Sequence, residues 1–128
     1  MATSCYTLKI VTDFAAAHTL RHYDGPCSRM HGHNWKLEAE VRANRLDDAG
    51  MVLDFKAVKA AARDVIARLD HQYLNDVEPF NRLNPTAENI AAHIFEGLAA
   101  KLNNELVKVA AVTIWETDRA CVRYSEED

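Results

Sequence analysis

From Tyr6 the chain alternates: Tyr6, Leu8, Ile10, Thr12 and Phe14 share one parity, Thr7, Lys9 and Asp13 the other, and only Val11 breaks the pattern. A period of two belongs to a half-buried strand, whose successive side chains point to opposite faces. His18 continues the Tyr6 parity as long as no bulge intervenes. Residues 19–30 carry Gly25-Pro26 among mixed polar groups and read as a loop. The clearest strand follows, with Trp35, Leu37, Ala39, Val41 and Ala43 alternating against Lys36, Glu38, Glu40 and Arg42. Its inward parity extends back through His33 and His31. After a turn at Asp47-Asp48-Ala49-Gly50, the apolar spacing becomes helical: Phe55, Val58, Ala62, Val65, Ile66 and Leu69 predict a helix over 55–69 with Asp54 as its N-cap. Residues 70–85 read as a long loop containing Pro79 and Pro85. A second helix carries Ile90, Ala91, Ile94, Leu98 and Leu102 on one stripe, capped either by Asn84 with Pro85 in the first turn or by Thr86. Strands at 107–117 and 120–125, joined at Thr117-Asp118-Arg119, complete the order β-β-α-α-β-β. That order predicts an α+β fold, an antiparallel sheet with two helices on one face.

Composition narrows the class. A length of 128 residues suits one domain over 1–128, and 48% apolar with 27% charged residues is ordinary for a folded globular chain. A net charge of -4 gives no support to broad phosphate neutralisation, so nucleic acid is not an expected partner. No stretch is long enough to span a bilayer. The N-terminal apolar run is interrupted by Lys9 and Asp13 and does not resemble a secretion signal. Three widely spaced cysteines, Cys5, Cys27 and Cys121, fit a reducing compartment better than a disulfide framework, and the expected location is cytoplasmic.

The chemistry concentrates in Cys27-Ser-Arg-Met-His31-Gly-His33. On a strand, His31 and His33 point to the same face and can share one metal ion, for which Zn2+ is the natural choice with imidazole ligands. His18 is the third candidate ligand. Cys27 has two readings: a fourth ligand that closes a structural site, or a free base beside an open catalytic one. Asp70-His71 stands where the first predicted helix runs out. Glu116 lies on the Val112-Ile114 parity of an apolar strand, so its carboxylate needs sheltered donors, from a core ion pair or from a ligand with adjacent N–H groups such as a 2-amino-4-oxo pterin edge.

Five ordered motifs resemble the 6-pyruvoyltetrahydropterin synthase and 6-carboxytetrahydropterin synthase family over nearly the whole chain. They are Phe14-Ala-Ala-Ala-His18, Cys27-x-x-x-His31-Gly-His33, Leu69-Asp-His71-Gln-Tyr-Leu-Asn-Asp76, Asn84-Pro-Thr-Ala-Glu88-Asn and Trp115-Glu116-Thr117. The resemblance implies the tunnelling fold, or T-fold, in which subunit sheets join into a barrel with active sites between subunits, and a homo-oligomer, a hexamer. It implies His18, His31 and His33 as zinc ligands, Cys27 as proton-abstracting base, Asp70 and His71 as a second proton-transfer pair, and Glu116 as the pterin-binding carboxylate, with Thr86 and Glu88 as further substrate-binding residues. Only Ser28, Arg29 and Met30 separate Cys27 from His31, a spacing similar to the carboxy branch; Glu116-Thr-Asp is similar to the pyruvoyl branch, and Ser28 stands where the carboxy branch has glycine. The implied reaction converts 7,8-dihydroneopterin triphosphate to 6-carboxy-5,6,7,8-tetrahydropterin, acetaldehyde and triphosphate, toward queuosine. The alternative is elimination of triphosphate to 6-pyruvoyltetrahydropterin. A zinc-stabilised, non-enzymatic interaction domain with Cys27 as fourth ligand is a third reading.

Overall fold

A computed structural model describes residues 2–127. Two long antiparallel strands open the chain, β1 (Tyr6–His18) and β2 (His31–Ala43). They pair without interruption from Tyr6 opposite Ala43 to His18 opposite His31. The alternation therefore holds through both strands. Ile10, Phe14, Ala16 and His18 are buried on β1, and Trp35, Leu37, Ala39 and Val41 on β2.

Helix α1 (Phe55–Ile66) starts as predicted, with Asp54 Oδ1 accepting from the Lys56 amide at 2.8 Å. It stops at Ile66, short of residue 69. The amides of Leu69 and Asp70 both bond to the Ile66 carbonyl at 2.9 Å, turning the chain, and Leu69 fills the core from that turn. Leu69 thus prolongs the apolar spacing beyond the helix itself. The segment predicted as loop over 70–85 holds a third strand, β3 (Gln72–Tyr73), parallel to β1 at Ala16 and Ala17. The sheet is consequently mixed, where the sequence predicts antiparallel pairing throughout. Two residues are too few to display a period.

Helix α2 (Ala87–Leu102) is capped by Thr86, whose Oγ1 accepts from the Asn89 amide at 3.1 Å, so Thr86 and not Asn84 is the cap. Strands β4 (Lys108–Thr117) and β5 (Ala120–Tyr124) complete a five-stranded sheet in the order β3-β1-β2-β4-β5. Both helices lie on one face, where Val58, Ala62, Ile90, Ile94 and Leu98 join Leu37, Val41, Val112 and Ile114 in one core. Each of the valine, leucine and isoleucine side chains among them contributes about 1.5–3 kcal/mol on burial. Trp35 is fully buried at the β1–β2 end of this core, with its Nε1 donating to the Ala16 carbonyl at 3.2 Å and its ring stacked on Phe14. The candidate site stands on that floor. Among the described residues no helix is long and apolar enough to cross a membrane.

Candidate metal centre and active site

Strand pairing assembles the three imidazoles. His18 is directly opposite His31, and His33 is opposite Ala16, so all three rings project from the core face at the mouth of the β1–β2 hairpin. His18 stands edge-on to Trp35 at 5.0 Å and His33 at 5.1 Å. Glu116, on the inward parity of β4, brings a carboxylate oxygen to 3.4 Å from His18 Nε2 and 3.5 Å from His33 Nε2. Ligand atoms of His18, His31, His33 and Glu116 all lie within 4.8 Å of one another.

The hydrogen bonds of the outer nitrogens decide what the inner ones offer. His18 Nδ1 lies 2.7 Å from the Pro85 carbonyl, and His31 Nδ1 lies 2.7 Å from the Arg29 carbonyl. A carbonyl only accepts, so both Nδ1 atoms carry the proton and both neutral rings present a lone pair at Nε2. Those two Nε2 atoms face each other at 2.9 Å. Two lone pairs at that distance repel unless a cation lies against them. A proton on His18 is disfavoured, because burial away from water pulls its pKa below 6.5, with the neighbouring His31 and His33 adding to the effect against Pro85 and Glu116. Desolvation also lowers His33, against the pull of Glu116, and His33 Nε2 is buried without a hydrogen-bond partner. Neutral imidazoles, converging lone pairs, an orphaned nitrogen and one carboxylate form a donor set that fits a divalent metal ion.

The other predicted residues divide by location. Cys27 is half-buried in a one-turn 3-10 helix, Pro26–Ser28, and its sulfur is not among the converging donor atoms. Asp70 and His71 form a pair, Oδ1 to Nδ1 at 2.9 Å, and the same Asp70 oxygen accepts from the Ala15 amide at 3.0 Å. His71 has φ of 61°, the left-handed region, and its amide bonds to the Ala15 carbonyl at 2.6 Å. A non-glycine residue held there by its neighbours is a mark of functional sites. Parallel pairing of Gln72 with Ala16 sets His71 beside Ala15 at the sheet edge, on the parity opposite that of the imidazoles. His71 borders two open grooves, of about 510 and 440 Å³, with Ala15 and Asn34, residues of the outward parity, and the larger groove also reaches His33. Thr86 is engaged as the α2 cap, and Glu88 is exposed in the first turn of that helix.

Two features have little trace in the sequence. The carbonyl that orients His18 belongs to Pro85, and a main-chain oxygen has no residue signature; only its place in Asn84-Pro-Thr hints at it. The nearness of Glu116 to the imidazoles depends on β4 lying beside β2, which periodicity alone does not order.

The pattern defining the family described as 6-pyruvoyl tetrahydropterin synthase matches residues 7–127. A relative from Archaeoglobus fulgidus is 40% identical over 102 residues, covering 79% of this chain and 84% of its own. The 6-carboxy-5,6,7,8-tetrahydropterin synthase of Synechocystis sp. is 39% identical over 117 residues, covering 87% and 86%. Among solved structures, the 6-pyruvoyl tetrahydropterin synthase of Caenorhabditis elegans superposes with a TM-score of 0.85 at 31% identity, covering 99% of this chain and all of that one.

Proposed function

Since the chain belongs to the 6-pyruvoyl tetrahydropterin synthase family, we propose that it is a single-domain, zinc-dependent lyase that converts 7,8-dihydroneopterin triphosphate to 6-carboxy-5,6,7,8-tetrahydropterin, acetaldehyde and triphosphate, in the cytoplasm and toward queuosine. The observation that carries the proposal is the convergence of His18, His31, His33 and Glu116 on one point. Several relatives named 6-carboxy-5,6,7,8-tetrahydropterin synthase and the three-residue gap between Cys27 and His31 support the carboxy product.

Residue roles follow from chemistry and position. His18, His31 and His33 would hold the metal, which when bound supplies a Lewis acid that polarises side-chain oxygens and acidifies the adjacent C–H and O–H groups. Cys27 takes a proton from the substrate side chain. His71, held by Asp70, moves a second proton. Glu116 accepts from the N–H groups of the pterin edge, and Thr86 and Glu88 flank the substrate at the start of α2. Breaking the bond between the first and second side-chain carbons, and the bond from the third carbon to the triphosphate oxygen, leaves one carbon on the ring as carboxylate and releases two as acetaldehyde; the electrons given up by the first two carbons reduce the ring from dihydro to tetrahydro and the third carbon to methyl. The carboxylate needs two oxygens where that carbon carried one, so one water is consumed.

His71 stands beside Ala15, on the parity opposite the imidazoles of its own chain, which supports a site completed between copies of a homo-oligomer, proposed as a hexamer. A second reading keeps all three side-chain carbons and yields 6-pyruvoyltetrahydropterin; Glu116-Thr-Asp and the likeness to the Caenorhabditis elegans enzyme favour it. Incubating zinc-loaded protein with dihydroneopterin triphosphate and trapping volatile aldehyde separates the two. Acetaldehyde in step with triphosphate is expected; the pyruvoyl product without aldehyde would establish the second reading.

A further inference from the structure

Beyond His18 the chain leaves the sheet, yet its main chain stays bonded on both sides. On one side Thr19 and Arg21 meet side-chain carboxamides. The Thr19 amide donates to Asn75 Oδ1 at 2.8 Å while Asn75 Nδ2 donates to the Thr19 carbonyl at 2.8 Å. The Arg21 amide donates to Asn84 Oδ1 at 2.8 Å while Asn84 Nδ2 donates to the Arg21 carbonyl at 3.0 Å. Each asparagine thus offers one acceptor and one donor to a single residue's main chain, as a partner strand does at a closely spaced pair of an antiparallel ladder. Between them the Leu20 amide points the other way and donates to the Cys27 carbonyl at 3.1 Å. The guanidinium of Arg21 locks the same strap by donating to the Phe80 carbonyl at 2.8 Å.

These bonds bear directly on the metal donors. Asn84 is clamped to Arg21, and Thr86 caps α2. Pro85 lies between those two fixed residues, and its carbonyl holds His18 Nδ1. Both ends of the His18–Pro85 bond are therefore anchored by asparagine pairing: His18 through the segment that follows it, Pro85 through the residue before it. The Leu20–Cys27 bond ties the proposed base to that segment too.

We infer that Asn75 and Asn84 are positioning residues of the metal centre: they act as a two-rung substitute strand that fixes the ring orientation and tautomer of His18, so that Nε2 is presented to the ion. The inference rests on the proposed metal site and goes beyond it by assigning part of the zinc affinity to residues that touch neither metal nor substrate. Outer-sphere partners of a metal-ligating histidine typically carry 10–100-fold in affinity.

The test compares equal lesions at two places. Asn103 Oδ1 accepts from the Val109 amide at 2.7 Å, a similar asparagine clamp at the C-terminus of α2. Zinc affinity of Asn75→Ala, Asn84→Ala and Asn103→Ala would be measured by competition with a chromophoric chelator, beside the thermal midpoint of each metal-free protein. All three are expected to lose stability, but only the first two to lose zinc affinity, by about tenfold each. If either alanine variant fails to fold, the Asp variant, which keeps the accepting oxygen and loses the donated bond, takes its place with the same expectation. Wild-type affinity in both clamp variants, or an equal loss in Asn103→Ala, would overturn the inference while leaving the metal site intact. Failure of the wild-type protein to bind zinc would overturn the metal site and this inference together.

Discussion

The two faces of the sheet carry chemistry of opposite character. On the core side, His18 is fully buried, and its partners converge with the outer nitrogens of His18 and His31 already engaged. On the far side, Asp70 and His71 form a fixed pair, but the His71 side chain is 81% exposed beside an open groove. The first arrangement is sheltered by its own chain, and the second stands open to solvent. Burial and neutral rings suit an ion that must displace no proton, whereas an exposed, rigidly held imidazole suits a group waiting for a surface to close over it. If the first arrangement holds the metal and the second moves a proton, as proposed, metal retention and turnover separate under mutation.

The largest effect should come from the buried face. His31→Ala removes one donor and is expected to lower zinc affinity by more than about 100-fold, above the range for outer partners. Cys27→Ala should retain the metal, since its sulfur lies outside the donor group, and lose turnover by about 10²–10⁴-fold. Metal analysis beside product formation checks both, and equal zinc loss in the two variants would erase the distinction between ligand and base.

On the exposed face, His71→Ala should leave zinc binding unchanged and cost turnover by about 10²–10⁴-fold. Mixing His71→Ala with His31→Ala subunits, after dissociation and reassembly, sharpens the comparison. If each site takes its metal from one copy and its Asp70–His71 pair from another, mixed assemblies regain activity that neither parent has. No recovery on mixing would mean that one chain's two faces serve each other.

Glu116 tests where the sheltered face ends. Glu116→Gln preserves size but replaces an accepting oxygen with a donor, and should weaken pterin binding by about 1–3 kcal/mol with zinc retained. A titration showing unaltered pterin affinity together with lost metal would make Glu116 a ligand only.

The smallest effect concerns neutral burial away from the site. His93 is half-buried with its ring edge-on to Phe80 at 5.3 Å, and desolvation holds its pKa below 6.5, with Arg68 reinforcing and Glu96 opposing. Its unfolded form binds the proton first, so its contribution to stability is present above the unfolded pKa and is lost as pH falls toward the folded one. His93→Gln should therefore flatten the decline of Tm between about pH 7 and pH 5. An unchanged slope would show that the ring is not held neutral.

Much of this organisation was legible because it is periodic. Parity alone carried His18 to the core face and aligned His31 and His33 with Trp35, and Asp54 announced α1 by its position before an apolar stripe. What escaped was aperiodic. β3 is two residues long, α1 ends before its stripe does because Leu69 is buried from a turn, and the Pro85 carbonyl and the asparagine clamps join segments more than 50 residues apart. Glu116 was recognisable as a sheltered carboxylate, but its distance to the imidazoles depends on strand order.

The direct pairing of His18 with His31 at the hairpin mouth has a consequence for how the chain finds its register. Sliding β2 by one residue along β1 would turn every β2 side chain to the opposite face, taking His31 and His33 away from His18. An ion held by rings from both strands would bind only the native alignment, and its binding free energy would add to the folded state alone, about 2.7 kcal/mol at a free concentration 100 times Kd. Zinc would then proofread the hairpin, rejecting slipped pairings during folding before any substrate arrives.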